Sequence, residues 1–83
     1  MDQIVRTPGQ MGAALRQQRR GQSLTQNDVA SRTQLRQATI SALENGEAGT
    51  QLNTLTQVLA ALDLELVLRP RSKASAADIE NMF

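Results

Sequence analysis

The sequence has no cysteine, histidine, tryptophan or tyrosine, and Phe83 is its only aromatic residue. Without cysteine the chain forms no disulfide, and without cysteine and histidine it lacks the usual zinc ligands. A single ring disfavours single-strand nucleic-acid binding, which stacks bases on several aromatic side chains. No apolar run approaches the length of a membrane span, and the first ten residues lack the features of a secretory signal. We therefore expect a cytoplasmic protein with no membrane partner.

The same absences leave little for catalysis. The residues that most often act as nucleophile or base are missing, and no carboxylate pair has an obvious partner. No glycine-rich phosphate loop is present either. We expect no enzyme, no catalytic residue, no metal, no cofactor and no small-molecule substrate.

The length of 83 residues predicts one small domain, whose core is marginal on its own. Because neither a disulfide nor zinc is available to support it, we expect a homodimer. Charge is spread unevenly: residues 1–45 hold six arginines and three acidic residues, whereas residues 46–83 hold three basic and five acidic ones. The basic half favours an anionic partner such as nucleic acid, although the asymmetry is mild.

Start and stop signals divide the chain into helices. Thr7, Pro8 and Gln10 predict the start of a first helix with a capping box, and Gly21 predicts its end. Thr25 and Asp28 form a second capping box, at the start of a short helix over residues 26–32.

Two further helices follow. The stretch "TQLRQATISALENG" predicts a third helix that buries Ile40 and Leu43 and ends at Asn45-Gly46. Asn53 is the predicted cap of a fourth helix, with Leu52 packing back against its first turn. The fourth helix has a clear apolar stripe, formed by Leu55, Val58, Leu59 and Leu62.

After the fourth helix the apolar period changes. Leu64, Leu66 and Leu68 alternate with Glu65 and Val67, as in a β-strand, and Pro70 ends the pattern. No other segment reads as a partner for this strand, so we expect it to pair antiparallel with its copy in a homodimer. The alternative is that residues 64–68 continue the fourth helix.

The third helix combines apolar anchors with a polar outer face. Such a helix after a tight turn predicts a helix-turn-helix, whose second helix enters the major groove of double-stranded DNA. Gln37 is the first candidate for base recognition because glutamine can bond both N6 and N7 of adenine; the alternative, which this motif disfavours, is a solvated helix residue. Ala38 can contact a thymine methyl group, Ser41 the next base or a phosphate, and Arg36 a guanine or a phosphate.

The expected phosphate contacts flank this helix. Thr39 lies at its edge, and Gln26 lies at the N-terminus of the second helix, where a phosphate oxygen is favoured. Thr25 either contacts phosphate or serves only as a cap.

The segment "LTQNDVASRTQLRQATISALENG" resembles the helix-turn-helix of Cro/repressor-type (XRE-like) proteins, and the likeness extends over residues 8–63. It implies a mainly α fold with a four-to-five-helix DNA-binding domain, to which the predicted C-terminal strand adds pairing across a homodimer. It also implies that Arg19 and Glu44 form a structural ion pair. The turn departs from the pattern, because Thr33 and Gln34 stand where an apolar residue and glycine are usual; Gln34 must then adopt a left-handed backbone, or the turn is shaped differently.

A narrower likeness is to HipB-type antitoxins, through "RQATISALEN" and "LDLELVL". It implies a repressor that binds a palindromic operator of its own operon and neutralises a HipA-type serine/threonine kinase toxin, with Phe83 as a toxin contact. The expected organisation is an arm over residues 1–6, a DNA-binding domain over 7–69 with the dimerising strand at 64–68, and a flexible tail over 70–83. The alternatives are a general repressor without a toxin partner, or a protein-interaction module.

Overall fold

Apolar residues at helical spacing build the core of the molecule. The computed structural model describes residues 2–71, which contain four α-helices: α1 (Pro8–Gly21), α2 (Gln26–Thr33), α3 (Gln37–Glu44) and α4 (Leu52–Ala61). Their buried side chains form one cluster, which consists of Leu15, Val29, Ile40, Leu43, Val58, Leu59 and Leu62. Burial of one aliphatic side chain stabilises the folded state by about 1.5–3 kcal/mol. Because each of the four helices supplies at least one of these side chains, the core depends on all of them. The mainly α class is confirmed, and no helix in residues 2–71 is long and apolar enough to cross a membrane.

Helix α1 begins as the sequence predicts, with one difference in the cap. The Thr7 hydroxyl accepts a hydrogen bond from the Gln10 backbone N–H at 3.1 Å, and Pro8 occupies the first turn. The Gln10 side chain, however, accepts from the backbone N–H of Arg6 at 2.6 Å instead of closing the box on Thr7. It therefore fixes the residue before the cap as well.

Helix α1 ends where the sequence predicts. Gly21 is the last helical residue, and the left-handed conformation falls on Ser23, with φ of 60°. The chain can turn there because the backbone N–H of Leu24 donates to the carbonyl of Arg19. The predicted end of the helix at Gly21 is confirmed, and the left-handed residue that follows is Ser23 and not a glycine.

Close approach between α1 and α3 sets the position of α3. A Cβ on Gly12 would lie 2.5 Å from the carbonyl oxygen of Glu44 and 2.6 Å from that of Leu43. Gly46 follows α3 with φ of 80°, and a Cβ there would lie 2.7 Å from Cα of Gly9. The C-terminal end of α3 therefore sits directly on the backbone of α1, where only glycine fits.

The start of α4 also differs from the prediction. The helix begins at Leu52 with Gln51 as its N-cap residue, and no side chain caps it, so Asn53 does not serve as the cap. Leu52 is 70% exposed and does not pack back as a staple. Burial of Val58 and Leu59 in the core stabilises this helix without a strong start signal.

The chain leaves α4 through Leu62 and Asp63, whose φ is 58°. The helix does not continue over residues 64–68, so that alternative was wrong. Residues 64–71 have no regular secondary structure in the single chain. The predicted strand, which needs a second copy for its hydrogen bonds, stays a prediction.

Candidate nucleic-acid interface

Helix α3 presents polar side chains outward and anchors itself with apolar ones. Ile40 and Leu43 are 1% and 5% exposed, whereas Arg36, Gln37 and Ala38 are exposed. Ser41 and Thr39 are half-buried at the edges of the outer face. The four candidates for base contact thus lie at the N-cap and on the first two turns of one helix; three of them are exposed and Ser41 is half-buried.

The turn between α2 and α3 contains the two residues that depart from the usual pattern. Gln34 adopts the left-handed conformation, with φ of 63°, which costs about 1 kcal/mol for a residue other than glycine. Thr33 is buried and compensates: its hydroxyl donates to the Val29 carbonyl at 2.9 Å and accepts from the Leu35 backbone N–H at 3.2 Å. A side chain therefore supplies the hydrogen bonds that hold the turn closed.

Arg19 and Glu44 form an ion pair near the start of α2. Arg19 Nε lies 2.6 Å from Glu44 Oε2 and Arg19 Nη2 lies 3.0 Å from Glu44 Oε1, while Arg19 Nη1 donates to the Leu24 carbonyl at 2.7 Å. Both side chains are less than 10% exposed. The hydrogen bond to Glu44 raises the pKa of Arg19, against the opposing effect of burial. The pair joins the end of α1 to the end of α3, as a structural ion pair would.

Gln26 extends this network to the surface. Its Nε2 donates to Glu44 Oε1 at 3.2 Å, and its Oε1 accepts from Gln37 Nε2 at 3.5 Å, the longest bond of the chain of contacts. Because a carboxylate can only accept, the amide of Gln26 must direct its oxygen towards Gln37. Gln37 keeps its own oxygen and one N–H free, which is the set that an adenine edge requires.

Thr25 is engaged as a helix cap. Its hydroxyl accepts from the Asp28 backbone N–H at 3.0 Å, and the Asp28 carboxylate accepts from the Thr25 backbone N–H at 2.8 Å. These bonds to Thr25 lower the pKa of Asp28, so the box is complete near neutral pH. Thr25 remains exposed, and its O–H can still donate to a phosphate.

The other candidate residues lie elsewhere. Leu64, Leu66 and Leu68 line an open groove with the N-terminal arm and α1, and no residue of α3 lines that groove. Phe83, the expected toxin contact, lies outside the described residues. Within residues 2–71 no group of three His, Cys, Asp or Glu side chains is placed to hold a metal ion.

Sequence reasoning missed the glycine contacts and the bond from Gln26 to Glu44. Gly12 lies inside a helix, where glycine costs stability relative to alanine, and that cost is a signal that close packing is needed. Its partner carbonyls belong to α3, which no local pattern around Gly12 indicates.

The geometry defines a helix-turn-helix protein with an accessible recognition helix. The sequence matches the family described as a helix-turn-helix domain over residues 10–80. It is 32% identical over 78 residues to the antitoxin HipB of Escherichia coli strain K12, covering 94% of this chain and 89% of that protein. This chain belongs to the helix-turn-helix domain family and, within it, to the HipB-type antitoxins.

Other relatives agree with this placement. The putative antitoxin HigA2 of Mycobacterium tuberculosis H37Rv is 45% identical over 58 residues, 69% of this chain, and the chain spans 57% of that relative's length. Among solved structures, HipB in a complex with an O4 20mer matches with a TM-score of 0.81 and 31% identity over 86% of this chain and all of that one. A chain of a HipA–HipB–O2–O3 complex matches with a TM-score of 0.80, also at 31% identity, over 86% of this chain and all of that one.

Proposed function

We propose that the protein is a dimeric, sequence-specific DNA-binding repressor, and that it acts as the antitoxin of a HipA-type serine/threonine kinase. The observation that carries the DNA part is the outer face of α3, where Arg36, Gln37 and Ala38 are exposed above the buried anchors Ile40 and Leu43. A helix of this kind fits the major groove, where each base pair presents a distinct pattern of donors and acceptors.

In this proposal Gln37 recognises adenine, and Gln26 helps to orient it. Arg36, Ala38 and Ser41 make the other base contacts, while Thr25, Gln26 and Thr39 contact phosphate. The free N–H of Gln26 suits a phosphate, since its other N–H is held by Glu44. The solved HipB complex with an O4 20mer, which shares the fold at 31% identity, supports a DNA partner.

Substitution of Gln37 tests the base contact. We expect Gln37→Ala to lower the affinity for the duplex upstream of the protein's own gene by about 1–3 kcal/mol and to relax base preference at one position per half-site. Gln17→Ala is a matched control, because Gln17 is also an exposed helical glutamine but lies on α1 and bonds to Gln3. Fluorescence anisotropy on a panel of single-base variants measures both quantities. Unchanged affinity and preference in Gln37→Ala would remove Gln37 from the interface.

The exposed segment over residues 64–68 supports the proposed homodimer. Leu66, Val67 and Leu68 are 49%, 72% and 97% exposed, which is a continuous apolar surface for one small chain. We propose that this segment pairs antiparallel with its copy and places the two α3 helices in successive major grooves, about 10 bp apart, on a palindromic operator. Sedimentation equilibrium across micromolar concentrations tests the dimer, and a monomer at every concentration would contradict it.

The toxin partner is a HipA-type kinase, and Phe83 in the tail over residues 70–83 is the proposed contact. The solved HipA–HipB–O2–O3 complex of a relative supports this class of partner. We expect the protein to inhibit the kinase encoded beside it, and expect Phe83→Ala to weaken inhibition more than Ile79→Ala in the same tail. If no kinase gene adjoins this one and no HipA-type kinase is inhibited, the protein is a general repressor without a toxin partner. The relative y4dL of Sinorhizobium fredii, which is 40% identical over 57 residues, is named a helix-turn-helix transcriptional regulator.

A further inference from the structure

Residues 64–71, the segment after α4, have backbone groups without partners in the described part of the chain. Their one backbone hydrogen bond within residues 2–71 joins the Leu64 N–H to the Leu59 carbonyl at 2.8 Å, and residues 65–71 make none. Glu65 and Arg69 are exposed, and the one ion pair of the described chain is Arg19–Glu44, so both charges are available to a partner. The segment therefore offers a second chain both backbone and charge.

Charge along this segment is arranged symmetrically about Val67. Glu65 lies two residues before it and Arg69 two residues after it; Asp63 and Arg71 lie four residues before and after. Antiparallel pairing of two copies about Val67 places Glu65 of each copy opposite Arg69 of the other. Opposite charges directly across a strand pair stabilise it, and like charges destabilise it.

The backbone restricts the possible alignments, and the alignment about Val67 is among those that it allows. Antiparallel pairs alternate between hydrogen-bonded and non-hydrogen-bonded positions, and a residue with no free N–H belongs in the second class. Pro70 has no N–H, and the N–H of Leu64 is already taken by Leu59. Pairing about Val67 puts Leu64 opposite Pro70, so both residues fall into one non-hydrogen-bonded pair. Glu65, Val67 and Arg69 then occupy the hydrogen-bonded positions.

Other alignments lose one of these features. A shift by one residue places the leucine side chains on the same face as the charged ones. A shift by two residues in one direction leaves Asp63 as the acid opposite Arg69, but Asp63 has φ of 58° and belongs to the helix end. A shift by two in the other direction pairs Glu65 with Arg71, beyond Pro70. Only the alignment about Val67 keeps an acid and a base of residues 64–70 opposite each other.

We propose that the homodimer pairs residues 64–70 in a register centred on Val67, and that two symmetric Glu65–Arg69 pairs select this register and a second copy as partner. This inference rests on the proposed homodimer and adds its alignment. The alignment matters for DNA recognition because a slip of two residues moves one protomer along the other by roughly 7 Å, which changes the separation of the two α3 helices.

Charge exchange between two full-length variants tests the register. Glu65→Arg and Arg69→Glu each put like charges opposite at both symmetric positions, so each variant alone should raise the dimer dissociation constant about tenfold at low salt. An equimolar mixture should recover wild-type dimerisation, because a heterodimer of the two restores opposite charges at both positions. The double variant E65R/R69E should recover it as a homodimer.

Sedimentation equilibrium measures association, and fluorescence energy transfer between differently labelled variants reports the heterodimer. Glu47→Arg is the matched control, since Glu47 is exposed and lies in the loop before α4, and it should leave the dissociation constant unchanged. Circular dichroism checks that each variant keeps its helices.

A wild-type dimer whose single variants are weakened but whose mixture fails to recover would overturn the register alone. If the wild-type protein is a dimer and neither substitution changes its dissociation constant, the segment does not lie in the interface. If the wild-type protein is a monomer, the proposed dimer itself is wrong.

Discussion

Residues 25–44 and residues 64–71 differ in how much of their bonding one chain provides. In the helix-turn-helix, Thr33 closes the turn and Arg19 neutralises Glu44, and no buried side-chain nitrogen or oxygen in the described residues lacks a partner. In the later segment the single chain gives one backbone hydrogen bond within residues 2–71 and leaves Leu68 97% exposed. Within the described residues one chain thus completes the bonding of the helix-turn-helix, whereas residues 64–71 leave backbone groups for the second copy proposed above.

The ion pair under the recognition helix gives the largest expected effect. Glu44→Ala leaves the buried guanidinium of Arg19 without its counter-charge and removes the acceptor of Gln26. We expect the free energy of unfolding to fall by about 3–5 kcal/mol, as measured by urea denaturation at fixed chain concentration. Glu47→Ala removes the same charge at an exposed site and should change stability by less than about 0.5 kcal/mol. Equal effects of the two substitutions would mean that the internal pair does not support the helix-turn-helix.

The glycine contact between α1 and α3 gives the next effect. Gly12→Ala adds a Cβ that meets two carbonyl oxygens of α3, so the helices must separate and stability should fall by about 1–3 kcal/mol. Gly21→Ala is the matched control, because a Cβ there meets nothing within 4 Å and alanine favours a helix. Thermal unfolding of both variants is the measurement. A Gly12→Ala protein as stable as Gly21→Ala would show that α3 does not need this close approach.

The left-handed turn residue gives a smaller effect of opposite sign. Gln34→Gly relieves the strain at φ of 63° and loses an exposed 3.4 Å bond from the Gln34 side chain to the Ser31 carbonyl. We expect a gain of about 0.5–1 kcal/mol in unfolding free energy, with operator affinity unchanged. A loss of stability would indicate that the side-chain bond outweighs the backbone strain.

The segment after α4 gives the smallest effect on the single chain. Leu68→Ser should change the stability of the monomer by less than about 0.5 kcal/mol because Leu68 buries almost nothing there, whereas Leu43→Ala in the core should cost about 2–5 kcal/mol. In the proposed dimer, the same Leu68→Ser substitution should weaken association, so melting temperatures of wild type and variant should diverge as concentration rises. Melting curves that stay parallel at all concentrations would remove Leu68 from the interface.

Local signals predicted the helix-turn-helix better than the surrounding contacts. The capping box of Thr25 and Asp28 and the left-handed Gln34 are set by neighbours within a few residues, and both are present. The start of α4 was mispredicted because core packing, and not the side chain of Asn53, determines it. Gly12 meets carbonyls that are distant in sequence, so no local pattern could reveal that contact.

The candidate nucleic-acid interface was also predicted in part, in the features that depend on local pattern or on family resemblance. The amphipathic pattern of α3 identified the buried Ile40 and Leu43, but it did not reveal that Thr39 and Ser41 on the predicted outer face are half-buried. The pairing of Arg19 with Glu44 came from family resemblance, and its geometry is now visible. The hydrogen bond from Gln26 to Glu44 could not be predicted from sequence, because it depends on how helices distant in sequence pack against one another.

Selection of bound sequences from a library of random DNA duplexes tests the central claim most directly, since it reports recognition and two-fold symmetry together. The proposal predicts that the wild-type protein enriches an inverted repeat whose half-sites are centred about 10 bp apart, with adenine at a position whose preference is lost in Gln37→Ala. Enrichment of isolated half-sites, or no enriched sequence at low salt, would contradict it.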